Sequence, residues 1–549
     1  GLLDRSDRHR DPAEAGLLAQ PARCCQPFGD MVPEARMNGA ESLVHTLLKG
    51  GVDTCFANPG TSEMHFVAAL DRIPGMRCVL GLFEGVVTGA ADGYARITGK
   101  PAATLLHCGP GLANGLANLH NARRAGSSMV NIVGDQATYH RPLDAPLTAD
   151  TEGWARPVSG FVRTTRSASE VGSDAAAAID AARVPPGQIA TLILPADTAW
   201  TEGGVVGAPR PPAAPVPVDQ GVLARIARVL RGNEPAILVL TGAALSEQGL
   251  LLAQRIGAAT GARLIAQGSN ARIAHGAGRV PIERVPYVVD RALAALGGLK
   301  HIVLVGAVKP VAFFAYPGKP GYLFPADATV HVLARPDQDL LDALARLADE
   351  LAAPAAPRPN GLSRPAPAKG APTPEAVAQS LAALLPEHAV VVDESISFGR
   401  TIFSDAAAAA PHDWMQITGG AIGDGLPLAT GAAIGAPSRR VIGLQADGSA
   451  MYTVQALWTQ ARERLDITTI LISNRKYAIL LHELAGVGAN PGRTALDMLD
   501  LSNPDLDWPR VAGGLGVEAA RAETMERFAD LFSHSLTRRG PFLIELVVS

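Results

Sequence analysis

Two proline-dense stretches, VVGAPRPPAAPVPVDQ at 205–220 and APAAPRPNGLSRPAPAKGAPTPEA at 353–376, divide this chain into three long segments. Proline cannot continue a helix interior or a central strand, and it stiffens an extended connector. Both stretches are therefore expected to be linkers. Within each segment, short aliphatic runs alternate with longer stretches of helical period. The first begins at Met37 with the helical NGAESLVHTLLKGG and contains the runs DTCFANPG, MRCVLGLF, AATLLH and MVNIVGD. The second contains AILVLTG, ARLIAQ, HIVLVGA and TVHVLA, and the third AVVVDES, RVIGLQADGS, DITTILISN and PFLIELVVS. Such alternation predicts parallel sheets covered by helices on both faces. The expected fold is α/β, with three consecutive doubly wound parallel-sheet domains at 37–204, 221–352 and 377–549. Residues 1–36 show no sustained period and no apolar signal core, and are expected to be a disordered extension of cloning or start-site origin.

Composition narrows the class of function. With 48 Lys+Arg against 52 Asp+Glu the net charge is −4, so there is no basic excess with which to neutralise a nucleic-acid backbone. Charged residues are 18% of the chain, which points to surface covered by domain packing or subunits. The five cysteines, Cys24, Cys25, Cys55, Cys78 and Cys108, form no disulfide scaffold and no CxxC pair, which suits a reducing, cytoplasmic setting. No apolar run approaches the ~20 residues that span a bilayer, so no membrane association is expected.

Chemistry is concentrated at strand ends. Asp447 follows the run RVIGLQA, and Asn474 follows DITTILIS 27 residues later. The carboxyl ends of successive parallel strands face the crevice where ligands bind, so two oxygen ligands would lie side by side. Gly448 lets the backbone approach a ligand, and the helix start behind it offers N–H groups to an anion. Magnesium with a diphosphate fits such a set. An Asp-Gly turn and an unrelated Asn fit the spacing equally well. Upstream, DESISFG (393–399) follows a strand and would open a helix. The run GGAIGDG (419–425) lets backbone carbonyls reach a cofactor. In the first segment Glu84 ends a strand ahead of a helix carrying DGYAR.

Taken together these segments resemble the thiamine-diphosphate enzymes of the acetolactate synthase, benzoylformate decarboxylase and pyruvate oxidase type, over roughly residues 37–549. ADGS to SNRK resembles the family's diphosphate–metal signature, with Ala446 where Gly is usual, and EGVVTGAADGYARITGKP resembles its glutamate segment. The resemblance implies thiamine diphosphate and Mg²⁺ as cofactors. It assigns Glu84 to the aminopyrimidine nitrogen, a proton-transfer role. It assigns Asp447, Asn474 and the Lys476 carbonyl to the metal, and Ser397 and Ser449 to the diphosphate. The Gly420 carbonyl would accept from the cofactor amine, with Ile422 as the wedge beneath it. Ser395, Ile396, Gly448, Tyr477 and Ala478 are placed at the cofactor as well. Thr61, in the AsnProGlyThr loop, and His107 are implied as catalytic groups. Asn58, Gln136, Ile479, His482 and Glu483 would surround the substrate. The resemblance further implies a homodimer at minimum, commonly a tetramer, and leaves a regulatory subunit open.

Two departures separate the chain from a strict acetolactate synthase pattern. The middle segment has GAVKPVAFFAYPGKP (306–320) in place of an RFDDR-like segment, so FAD is not expected, and AILLHEL (478–484) replaces an MVxQW-like segment. No GxGxxG follows a strand in the middle segment, and no P-loop is complete. The leading expectation is an acetolactate synthase-like carboligase, decarboxylating a 2-keto acid such as pyruvate and joining the fragment to a second carbonyl. The alternative is a non-oxidative 2-keto acid decarboxylase of benzoylformate decarboxylase type. A non-catalytic binding subunit is a third reading, opposed by the joint presence of Glu84, Asp447 and Asn474.

Overall fold

Aliphatic runs without a period of two become central strands, because a parallel sheet buries both of its faces. The computed structural model describes residues 37–355 and 363–548. The expected N-terminal extension (1–36) and residues 356–362 of the second linker lie outside the described residues. In the first segment six strands form a parallel sheet: β1 (Thr54–Asn58), β2 (Arg77–Leu80), β3 (Ala102–Leu106), β4 (Met129–Asp135), β5 (Phe161–Thr164) and β6 (Ile189–Pro195), in the order β2-β1-β3-β4-β6-β5. Helices Gly39–Lys49 and Ala168–Ala182 pack on one face and helices Glu84–Thr98 and Cys108–Ala125 on the other. The first helix starts where Asn38 and Glu41 exchange side-chain hydrogen bonds with each other's backbone N–H.

The middle segment supplies β7 (Ala236–Leu240), β8 (Arg263–Ala266), β9 (Ile273–His275), β10 (His301–Val305) and β11 (Thr329–Ala334); four of them form a parallel sheet ordered β11-β10-β7-β8. The third supplies β12 (Val390–Glu394), β13 (His412–Gln416), β14 (Val441–Ala446), β15 (Ile467–Ser473), β16 (Glu518–Ala522) and β17 (Phe542–Val547). Strand β9 does not stay with its neighbours in sequence. It pairs antiparallel with β13 and closes the third sheet, ordered β16-β17-β15-β14-β12-β13-β9. The expectation of purely parallel sheets is corrected at that edge. Three residues are too short to show a period, and the pairing is set by a buried cluster of His275, Phe403, His412 and Trp414.

Two further expectations change. A helix, Pro374–Leu384, begins inside the second proline-rich stretch, with Thr373 as its cap. Proline at the first helical position marks a start as readily as a linker. DESISFG opens a turn first, and only the single-turn helix Ile402–Asp405 follows it.

The first and third domains meet along helices Glu84–Thr98 and Gly425–Gly435, in backbone-to-backbone contact. A Cβ on Gly93 would stand 2.1 Å from the Leu428 carbonyl oxygen, and one on Gly431 would stand 1.8 Å from that of Ala90. Only glycine permits this approach. Val87, Ala90, Ala91 and Tyr94 share one apolar cluster with Leu428, Ala429, Ala432 and Val441. Among the described residues no helix is long and apolar enough to cross a membrane.

Candidate active site

Glu84 is the first residue of its helix, where the positive helix end favours a carboxylate. It is 5% exposed, and Asn114 Nδ2 donates to its Oε2 at 3.0 Å. Asn114 lies on the helix that begins just after His107, at the end of β3. The His107 ring nitrogen Nδ1 lies 2.9 Å from Oε2 of Glu63, which is fully buried and also accepts the Gly60 N–H. A carboxylate oxygen accepts, so this contact favours the tautomer with the proton on Nδ1, which in a neutral imidazole leaves Nε2 a lone pair. Ser62 donates to the other oxygen of Glu63 at 2.5 Å and lies 3.1 Å from the Cys108 sulfur. Burial pushes the Cys108 thiol up to about 11, so it stays protonated near neutrality, and with the Ser62 proton given to Glu63 the thiol is the group left to donate between them. Cys108 itself holds a left-handed backbone conformation, φ 53°, at the head of its helix.

Sequence reasoning placed Thr61 beside the reaction. Thr61 is exposed in the single chain, and its neighbours Ser62 and Glu63 lie against His107. Glu63 had a local signal, since it closes on the Gly60 N–H three residues back in the manner of a helix cap. Ser62 had none. Asn58 ends β1 half-buried, and the Gln136 side chain is tied to the Pro146 carbonyl.

The second half of the site lies on the third sheet. Strands β14 and β15 run parallel with Ala446 opposite Ile472, so Asp447 and Asn474 emerge side by side. Asp447 accepts the Gly448 N–H at 2.8 Å and the Arg475 N–H at 2.6 Å. Burial raises its carboxyl above the usual range, against the pull of these amides. Asn474 Oδ1 accepts the Lys476 N–H at 3.1 Å. Ser449 is held by Gln445 and the Ala446 carbonyl, and the Ser395 hydroxyl donates to Asp393. Those two hydroxyls would have to exchange partners to meet a phosphate, whereas half-buried Ser397 makes no side-chain hydrogen bond among the described residues. Ile396, beside it, adopts φ 48° in the turn after β12.

A loop of the third domain, residues 419–424, lies against the first domain. Asn121 accepts from the N–H groups of Gly419 and Ala421 and donates to the Ala421 carbonyl. Asn118 Nδ2 donates to the Gly85 carbonyl at 2.8 Å and to the Gly423 carbonyl at 3.3 Å. One amide thus joins the turn carrying Glu84 to the loop carrying Gly420 and Ile422. From below, the buried Glu394 carboxylate accepts from the N–H groups of Gly423, Asp424 and Gly425 and from Gln445. Burial still raises the Glu394 carboxyl. Asp424 is fully buried with no hydrogen bond to either oxygen, and burial drives its carboxyl far toward the neutral form. Asn118, Asn121 and Glu394 escaped sequence reasoning, because their partners lie far away along the chain.

The segment after Asn474 forms helix Ala478–Gly486, none of whose residues is buried. Tyr477 is half-buried at its cap, Ile479 is half-buried, and the exposed His482 turns back onto the Ala478 carbonyl.

Residues 37–154 match the family model described as the thiamine pyrophosphate enzyme N-terminal TPP binding domain, and residues 403–546 match the corresponding C-terminal TPP binding domain. The chain belongs to the thiamine pyrophosphate enzyme family. It is 54% identical over 93% of its length, and 99% of the relative's, to a Mycobacterium tuberculosis protein named "Putative acetolactate synthase large subunit IlvX". It is 31% identical to a Pseudomonas aeruginosa benzoylformate decarboxylase, covering 91% of this chain and 97% of that one. A solved Rhodococcus jostii thiamine diphosphate-dependent 4-hydroxybenzoylformate decarboxylase has the same fold, with a TM-score of 0.79 over 93% of this chain and 99% of that one at 24% identity.

Proposed function

We propose that this protein decarboxylates a 2-keto acid with thiamine diphosphate and Mg²⁺, and that the usual fate of the remaining fragment is protonation and release as an aldehyde. The observation that carries the reading is the Glu63–His107 pair, set at a strand end in the same domain as Glu84. Glu63 fixes the imidazole in one tautomer, so His107 Nε2 can take or return a proton, which is the transfer that decides how the reaction ends. The buried thiol and Ser62 complete the line of donors behind it.

The residues present suit the cofactor. Asp447, Asn474 and the Lys476 carbonyl offer only hard oxygens, the donor set Mg²⁺ prefers. Among its hydrogen-bond partners the buried Asp447 carboxylate has only backbone amides, and a divalent cation would offset its burial. When bound, thiamine diphosphate supplies the acidic carbon and the electron sink for decarboxylation. Glu84 would hold the pyrimidine nitrogen by a hydrogen bond, with Asn114 fixing the carboxylate. The Gly420 carbonyl would accept from the pyrimidine amine, Ile422 would support the ring, and Ser397 would bind a phosphate oxygen. As in the resemblance, we place the working site in a homodimer or tetramer in the cytoplasm.

Carboligation, in which the fragment joins a second carbonyl, is the second reading, supported by the name of the 54%-identical relative. Incubation of the loaded protein with pyruvate and with benzoylformate, followed by separation of aldehydes from acyloins, tests both. Aldehyde in excess is expected. Acyloin in excess would replace decarboxylation by carboligation, and no carbon dioxide from any 2-keto acid would overturn both.

A further inference from the structure

The two segments in which this sequence departs from the acetolactate synthase pattern, 306–320 in the middle domain and 478–484 in the third, touch each other. Tyr316 donates its hydroxyl to Glu483 Oε2 at 2.9 Å, and Tyr287, also from the middle domain, donates to Glu483 Oε1 at 3.0 Å. Both oxygens of one carboxylate are thus capped by phenols from another domain. Tyr287 reaches further. The Arg400 guanidinium, at the end of the turn after β12, lies 4.4 Å from its ring centroid. On another side the Phe313 ring packs at 5.4 Å. Phe313 in turn occupies the space above Gly420, where a Cβ would stand 2.5 Å from the ring. Gly420 has φ 80°, so glycine is required there twice over.

One tyrosine of the middle domain therefore meets, directly or through one ring, three segments of the third domain at the candidate cofactor site: the 395–400 turn, the 419–424 loop and the helix Ala478–Gly486. That helix needs an external hold. It has nine residues, a length marginal for an isolated helix, and no buried side chain to hold it by packing. Its apolar sequence, AILLHELAG, would otherwise slide or fray at the mouth of the site. Charge-assisted hydrogen bonds to both carboxylate oxygens fix it in position and in rotation.

We infer that Glu483 is a positioning residue, clamped by Tyr287 and Tyr316, and that through this clamp the middle domain sets the placement of helix Ala478–Gly486 over the substrate mouth. The middle domain then contributes to substrate binding without holding a cofactor of its own. The substrate consequence rests on the 2-keto acid reading above; the structural consequence does not.

The test uses the cofactor-loaded full chain with Glu483→Gln and with the double variant Tyr287→Phe/Tyr316→Phe, which keeps both rings. Amide hydrogen exchange read by mass spectrometry should show peptides across 478–486 exchanging at least about 10-fold faster, with the β14 and β15 peptides unchanged. Thiamine diphosphate affinity should stay within about 3-fold, while KM for the turned-over 2-keto acid rises about 10-fold or more and kcat falls less. A single Tyr316→Phe, which keeps one phenol, should recover most of the KM. Unchanged protection of 478–486 in the double variant would overturn the clamp. Faster exchange with an unchanged KM would overturn its role in substrate binding. Should no 2-keto acid be turned over at all, the exchange measurement still decides the clamp while the functional reading fails separately.

Discussion

The seam between the first and third domains and the seam between the middle and third domains differ in what holds them at the site. The first is backbone against backbone: two helices cross at Gly93 and Gly431 with an apolar cluster running through the contact. Polar groups on it are buried and locked, such as the Arg96–Asp92 pair, whose guanidinium also donates to the Gln416 carbonyl and the Thr418 hydroxyl. The second holds one short backbone ladder, the β9–β13 pairing, and apart from it and the apolar packing beside it is made by side chains: Tyr287 and Tyr316 on Glu483, Arg272 on Asp413, His275 on His412. Close packing resists any shift, because an interior at crystal-like density has no slack. A handful of side-chain hydrogen bonds yields to pH, to substitution and to ligand. On the function proposed above, the rigid seam carries Glu84 and the 419–424 loop, where proton transfer would need fixed geometry, and the adjustable seam would border the mouth through which substrates enter and leave.

Substitution of a glycine on each side should expose this contrast most strongly. Gly431→Val would force the two helices apart and should cost about 3 kcal/mol or more, read as a loss of thermal stability of the whole protein. Gly488→Ala, beside the mouth helix, has open space for its Cβ and a φ of 72°. Its cost should be the backbone penalty alone, roughly 1–2 kcal/mol. Equal losses would remove the distinction between the seams.

The adjustable seam should also be the acid-sensitive one. Burial brings His412 down from its ordinary 6.5 to about 4, and His275 beside it is lowered as well. The unfolded chain takes up a proton near pH 6.5, while the folded one resists until about pH 4. Stability is therefore complete above pH 6.5 and drains as pH falls through that window, by about 3 kcal/mol from His412 alone. Chemical denaturation between pH 7 and 4 should show this slope, and His412→Gln should flatten it. A wild-type slope retained in the variant would assign the acid sensitivity elsewhere.

A smaller, more local effect is expected at the metal side of the site. Asp447→Ala should leave the fold intact and weaken cofactor binding by roughly 100-fold or more, since even residues behind a metal ligand cost 10–100-fold when removed. Calorimetric titration with thiamine diphosphate and Mg²⁺ checks this. Affinity equal to wild type would displace the metal from Asp447.

Much of the site was legible from sequence because its residues sit at strand ends. Asp447, Asn474 and Glu84 each follow an aliphatic run, and the parallel pairing of β14 and β15 turns that local position into adjacency for Asp447 and Asn474. Other parts were illegible for specific physical reasons. β13 reads HDWMQ, a polar-looking run whose histidine and aspartate find partners both in the middle domain, His275 and Arg272, and in the third, the Ala410 carbonyl and Arg439. β16 reads EAARA and has no β-branched residue at all; it exists as an edge strand against β17. Asn121 looks like any helix-surface amide until Ala421 arrives from the far end of the chain. The clamp on Glu483 was half visible. Glu483 was expected at the substrate mouth, but nothing local connects it to Tyr287 or Tyr316.

The central claim of the proposed function is that Glu84, held on the rigid seam, is the carboxylate that activates the cofactor through its pyrimidine nitrogen. It is tested most directly by following deuterium exchange at C2 of bound thiamine diphosphate by NMR in the wild type and in Glu84→Gln. The account predicts that the variant still binds the cofactor, within a few-fold, and exchanges C2–H slower by about 10²–10⁴-fold. Exchange at the wild-type rate in a cofactor-saturated Glu84→Gln protein would contradict it.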